Sequence, residues 1–178
     1  MRICKKFIRL IFFVSFWFFV SREIINENFQ NVETCFIQTT QKTIPKFITI
    51  HHDGVDHPIT LSKINIYHLD SCGYSCGFAY HYYIDNEKIY KIRNEETKGA
   101  HVLNANTANI GICLHGNFDK SKPTLKQQIL LIVLVNYLKL KFDIQKQNIK
   151  PHNDWEQNNT HCCGQNFDFE KFKTFIFD

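Results

Sequence analysis

The chain has 178 residues, 44% of them hydrophobic and 21% charged, which fits one globular domain with short extras and excludes a second domain. Its formal net charge of +4 is concentrated at the start, where Arg2, Lys5, Lys6 and Arg9 meet no acidic residue. Taking these from the 21 Lys and Arg leaves a balance with the 17 Asp and Glu, so no basic patch for nucleic acid is indicated.

The basic flank runs into an apolar stretch over residues 10–20, the form of a secretory signal. That stretch is short for a spanning helix, which needs about 20 residues. No small-x-small cleavage pattern follows Val20, and an uncleaved segment would anchor the domain to a membrane through residues 7–20. Residues 1–21 therefore read as a signal peptide or N-terminal membrane anchor. The expected location is secreted, periplasmic or otherwise within the cell envelope. Residues 22–44, with Asn, Gln and Thr in no clear period, read as a linker or loosely packed arm. Residues 45–175 form the folded domain.

Export to an oxidising compartment permits disulfides among the 7 cysteines. Cys4 lies in the signal segment and Cys35 has no evident partner. Cys72 and Cys76 could close a small loop or remain thiols, and sequence does not pair them. Cys113 alternates with apolar neighbours like a buried strand residue.

Within the domain, residues 46–50 form the first strand and deliver His51 to its end. Thr60 caps a helix from 61 to about 70, with Ile64, Tyr67 and His68 on one face and Gly73 as the stop. Residues 78–84 and 88–92, joined at Asp85-Asn86, make a hairpin. A strand follows over 109–115. Thr124 and Gln127 then form a capping box for a long helix whose apolar face is read as Leu125, Ile129, Ile132, Val133, Tyr137 and Leu140. A last short strand over 148–150 leads into Pro151-His152. This order predicts an α/β domain, a single mixed β-sheet flanked by helices. Nothing in the pattern resembles a dimer seam, and a monomer is expected.

His51-His52 after the first strand, His152 after the last, and the segment Thr160-His161-Cys162-Cys163-Gly164 together offer two imidazoles and a thiolate. That is the open donor set of a catalytic zinc, with the fourth position left to a water whose pKa falls to about 7. The chemistry implied is metal-assisted hydrolysis. Either Cys162 or Cys163 could supply the thiolate, and His161 adjoins them. A ligating imidazole also needs an acceptor on its other nitrogen, which the sequence does not name. His57, His68 and His115 read as core or surface imidazoles.

Six segments in order carry a resemblance: Ile48-Thr-Ile-His-His52, Gly77-Phe-Ala-Tyr-His-Tyr-Tyr-Ile84, Gly99-Ala-His-Val102, Asn109-Ile-Gly-Ile-Cys-Leu-His-Gly-Asn117, Pro151-His-Asn-Asp154 and Thr160-His-Cys-Cys-Gly164. Together they resemble the zinc-dependent N-acetylmuramoyl-L-alanine amidases, the type 2 amidases, a group that includes the peptidoglycan recognition proteins. The resemblance covers about residues 45–172 and implies His51, His152 and Cys162 as ligands of Zn2+. Cys163 stands where the family has proline, and the loop over 155–159 is longer than in many relatives. It further implies Tyr80 beside the metal, stabilising an oxyanion or positioning water, and Thr160 polarising the substrate carbonyl. Glu96, or Glu95 next to it, corresponds to a general base, while His101 and Asn104 line the substrate groove, with Asn106 able to join them.

The activity implied is hydrolysis of the amide between the lactyl group of N-acetylmuramic acid and L-alanine, with peptidoglycan or muropeptides as partners. The alternative is a recognition protein of the same fold that binds muropeptides without cutting them. A third reading is a metal-free domain in which Cys162 or Cys163 pairs with Cys35, Cys72 or Cys76.

Overall fold

The computed structural model describes residues 29–31, 42–73, 77–156 and 158–177. The signal or anchor segment, Cys4, Cys35 and Cys76 lie outside them. Among the described residues, no helix is long and apolar enough to cross a membrane.

Pro45 precedes β2 (Phe47–His52), in which Ile48 and Ile50 are fully buried. It lies between β5 (Asn109–Leu114) and β6 (Ile149–Pro151), parallel to both. Every residue of β5 is buried, as expected of a strand covered on both faces. Beyond β5 comes the hairpin of β3 (Tyr82–Ile84) and β4 (Ile89–Lys91), whose antiparallel pairing makes the sheet mixed. Within residues 22–44, Phe29–Asn31 forms β1, which pairs parallel with β4 at the edge. The six strands run β1-β4-β3-β5-β2-β6, so the expected single mixed sheet is present.

Alternation along the strands sends side chains to two faces. Tyr82, Ile84, Ile112 and Leu114 join the larger core with Leu130, Leu131, Leu134 and Leu138 of α2 (Leu125–Phe142). Tyr83 and Cys113 face the other way, into a smaller cluster with Ile64 of α1 (Leu61–Ile66), Phe78 and Ile92. Thr60 caps α1 as expected, but the helix ends early and passes into a π-helical turn, Tyr67–Ser71.

The capping box of α2 is present, with Thr124 and Gln127 exchanging hydrogen bonds. Its buried face differs from the one read from the sequence. Of the expected face, Val133 is buried and Ile132 and Tyr137 pack partly buried against the core, but Leu125, Ile129 and Leu140 are exposed, while Gln127, Leu130, Leu131, Leu134 and Leu138 point inward. Two buried amides explain the rotation. Gln127 Nε2 donates to the His115 carbonyl, and Asn136 Nδ2 donates to the Phe175 carbonyl while its Oδ1 accepts from Phe177 N. Each offsets a burial cost of roughly 1–3 kcal/mol for an unpaired polar group. The second bond also pins the C-terminal segment, including α3 (Phe169–Lys173), an element the periodicity did not mark.

Candidate metal centre

Strands β2 and β6 are neighbours with Ile50 opposite Pro151, so the next residues, His51 and His152, emerge side by side at the carboxyl ends of parallel strands. Their ring centroids are 4.4 Å apart. Cys162 returns to them through the loop after His152, held by Asn153 N donating to the Cys162 carbonyl at 2.9 Å. The donor atoms of His51, His152 and Cys162 all lie within 4.8 Å of one another, the one such group of His, Cys, Asp or Glu among the described residues.

The competing ligands are placed elsewhere. Cys163 Sγ donates to the Ile50 carbonyl at 2.9 Å, His161 is exposed, and His52 Nδ1 accepts from Phe118 N at 3.0 Å. Cys72, Cys113, Cys162 and Cys163 are free thiols.

The hydrogen bonds around His51 determine which of its nitrogens faces the cluster. The Asn109 carbonyl can only accept, so His101 Nε2, 3.1 Å away, carries a proton. Burial, followed by the neighbouring His51 and His81, holds the His101 pKa well below its usual value, so the ring is neutral and its Nδ1 is a lone pair. That lone pair accepts from His51 Nε2 at 3.1 Å. His51 is also kept neutral by burial, and its bare Nδ1 faces Cys162 Sγ at 3.7 Å. A tetrahedral zinc with Zn–S about 2.3 Å and Zn–N about 2.0 Å would set these atoms about 3.5 Å apart. The donor set and spacing fit zinc.

The space for His101 is made by glycines. A Cβ on Gly111 would lie 2.7 Å from His101 Cγ, and one on Gly99 would lie 2.5 Å from its Cδ2. Gly111 pairs with Thr49, two residues before His51 on the same face of β2, so the imidazole lies flush against the sheet beneath the site.

Cys162 is prepared as a thiolate. Contact with Cys163, followed by the neighbouring imidazoles of His152 and His51, lowers its pKa against the opposing effect of burial. The His52 backbone N–H donates to its Sγ at 3.3 Å. Tyr80 is half-buried, with its ring centroid 5.2 Å from that of His51. Burial, and next the neighbouring Cys113 and Cys162, push its phenol pKa well above the usual value. Its O–H therefore remains a donor at neutral pH.

Two hollows meet at these residues. One, about 380 Å³, is lined by the three cluster residues with Tyr80, His68 and Thr160. The other, about 640 Å³, extends past Leu103, Asn104, Asn106 and Asn158. They share Ala100, His101 and His152 and so form one groove.

The structure thus brings together His51, His152, Cys162, Tyr80, Thr160 and His101, with Asn104 farther along the groove. Thr160 Oγ1 accepts from Cys162 N at 3.2 Å, which places its side chain beside the thiolate residue.

Glu96 is not brought in: it lines neither hollow, and its carboxylate lies 3.7 Å from Lys42 at the surface. Glu95 is 4% exposed and faces α2, accepting from Tyr82 Oη, from Lys91 Nζ at 2.8 Å and from Lys141 Nζ at 3.1 Å. Neither acid is among the residues that line the groove.

His68 departs from its sequence reading, since the turn after α1 carries it to the groove wall, 5.6 Å from the Tyr80 ring. Its position on the inner face with Ile64 was the available signal. Asp53 also lines the groove, but its carboxylate is occupied by Tyr83 Oη, His115 Nδ1 and the N–H groups of Val55 and Gly116.

Comparisons with known proteins agree with this geometry. The profile of the N-acetylmuramoyl-L-alanine amidase family matches residues 40–165. Among solved structures, the N-acetylmuramoyl-L-alanine amidase LysC from Clostridium intestinale is 34% identical, with a TM-score of 0.69 over 82% of this chain and 95% of that one. Bumblebee PGRP-SA, at 21% identity, matches over 79% of this chain and 92% of its own with a TM-score of 0.62. Peptidoglycan recognition protein-LE, solved with tracheal cytotoxin, is 22% identical and matches over 77% and 85% with a TM-score of 0.63. No curated protein sequence matches the chain.

Proposed function

Because the chain belongs to the N-acetylmuramoyl-L-alanine amidase family, the type 2 amidases and peptidoglycan recognition proteins, we propose that it is a zinc-dependent hydrolase of peptidoglycan. It cleaves the amide between N-acetylmuramic acid and the L-alanine of the stem peptide. The observation that carries this reading is the cluster itself: two imidazoles and a cysteine sulfur within 4.8 Å, at the junction of a continuous groove.

His51 Nδ1, a His152 ring nitrogen and Cys162 Sγ would hold the ion. Zinc bound there supplies Lewis acidity toward the scissile carbonyl and toward water. The protein's own residues do the rest. His101 and the Asn109 carbonyl keep the His51 lone pair directed at the ion. Tyr80, protonated at working pH, donates a hydrogen bond to the carbonyl oxygen as it gains charge, where a positioned donor contributes most. The Thr160 hydroxyl lies on the same wall and orients the carbonyl.

The groove beyond His101, walled by Leu103, Asn104 and Asn106, accommodates the stem peptide. Tracheal cytotoxin bound to recognition protein-LE, a monomeric peptidoglycan of the diaminopimelic acid type, supports a muropeptide as the occupant.

The basic flank and apolar run at the N-terminus support an exported domain, secreted or held at the cell envelope through residues 7–20. Residues 45–175 make up the catalytic unit and act as a monomer. The test is zinc content measured beside peptide release from purified peptidoglycan. Wild type should carry one zinc and release stem peptide, and His152→Ala should lose both. A zinc-loaded wild type that binds muropeptides and releases nothing would leave a recognition protein in place of the enzyme.

A further inference from the structure

We propose that Asn158 is the positioning residue for the ligand His152, fixing its tautomer and tying the metal cluster to the far wall of the groove. The ligand role of His152 rests on the function proposed above. The orientation of Asn158 follows from its partners. Its side-chain oxygen lies 3.1 Å from the backbone N–H of Leu103, which can only donate. Its amide nitrogen lies 3.1 Å from the Glu156 carbonyl, which can only accept. The two constraints agree, so the atom facing His152 is the oxygen. His152 Nε2, 3.1 Å from that oxygen, must then carry the proton, leaving Nδ1 with the lone pair.

Asn158 does for His152 what His101 does for His51, but from a different source. His101 acts from the wall beside β5 and is locked by the Asn109 carbonyl. Asn158 belongs to the loop after β6, and that loop is anchored to the sheet. Trp155 Nε1 donates to Thr49 Oγ1 at 2.9 Å, and the Trp155 ring packs edge-on against Phe47 with centroids 5.4 Å apart. Backbone bonds from Asn158 N to the Trp155 carbonyl and from Thr160 N to the Asn158 carbonyl brace the residue on both sides. One oxygen therefore joins a metal ligand to Leu103, which walls the groove, and a muropeptide seated there is coupled to the metal through a single side chain.

The test uses the full chain with two substitutions and two readouts. Asn158→Asp keeps oxygen acceptors for His152 and Leu103, whereas Asn158→Leu has similar bulk and no acceptor. Nitrogen-15 NMR of the metal-free protein should show His152 in the Nε2–H tautomer in wild type and Asn158→Asp. In Asn158→Leu it should show a mixture. Zinc affinity, measured by competition with a chromogenic chelator, should fall about 10- to 100-fold in Asn158→Leu and stay near wild type in Asn158→Asp.

An Nδ1–H tautomer of His152 in wild type overturns the proposal without any mutant. So does an Asn158→Leu protein with unchanged zinc affinity. If wild type binds no zinc, the proposed function fails, while the tautomer measurement still decides the role of Asn158.

Discussion

Replacing Glu95 with Gln separates a structural acid from a catalytic one. The carboxylate is 4% exposed and accepts from Lys91, Lys141 and Tyr82, joining the hairpin to α2. Burial alone would raise its pKa. The hydrogen bonds from Lys91 and Tyr82 and the charge of Lys91 outweigh burial and hold it down at about 2, against an ordinary 4.5. A depressed folded-state pKa contributes stability that is fully present above the unfolded value and is lost as pH falls through the folded one. At about 1.4 kcal/mol per pH unit, the contribution above pH 4.5 is on the order of 3 kcal/mol.

Urea unfolding of both proteins at a series of pH values is the assay. The difference at each pH cancels what the metal ligands contribute. Glu95→Gln should be less stable by about 2–4 kcal/mol at pH 7, with the gap closing toward pH 2, and its zinc content and turnover per folded molecule should be unchanged. A stability difference below about 0.5 kcal/mol at pH 7, or a gap independent of pH, would show that the Glu95 carboxylate does not stabilise the fold in this way. Lost turnover in a fully folded, zinc-loaded variant would return Glu95 to the mechanism.

Tyr80→Phe should retain zinc and lower kcat by about 10²–10³-fold, the usual cost of one oxyanion donor; a fully active variant removes Tyr80 from the chemistry. Cys162→Ala should lose zinc, whereas Cys163→Ala and His161→Ala should keep it, and metal analysis of the three reads out the ligand directly. Gly111→Ala puts a methyl 2.7 Å from His101 Cγ, so it should cost about 1–3 kcal/mol by thermal unfolding and weaken zinc binding as His101 is displaced.

The central strands were legible because each is a bounded apolar run followed by a group with chemistry: residues 46–50 before His51, and 109–115 after a loop of Asn and Thr. The capping box of α2 was equally legible from Thr124 and Gln127. Its buried face was not, since the run from Ile129 to Val135 is apolar on every side and the orientation is decided by Gln127 and Asn136, polar residues with distant partners. Strand β1 and helix α3, at 3 and 5 residues, are too short to show a period and depend on the neighbours they pack against.

At the site, residue type and order pointed to His51, His152 and one of two adjacent cysteines, and the family resemblance singled out Cys162. The acceptors that orient the imidazoles were hidden for a physical reason. His101 meets His51 because Gly111 lies beside Thr49 in the register of β2 and β5, and Asn158 meets His152 because Trp155 folds its loop back onto β2. Neither pairing is written in local sequence. Glu96 was read onto the site from its segment, and its carboxylate lies instead at the surface beside Lys42.

The most direct test of the account is the identity of the amino termini freed when the protein acts on purified peptidoglycan, with and without chelator. Free L-alanine termini should appear, be lost on removing metal and return with one equivalent of zinc. Termini of another residue, or release undiminished in metal-free protein, would contradict the account.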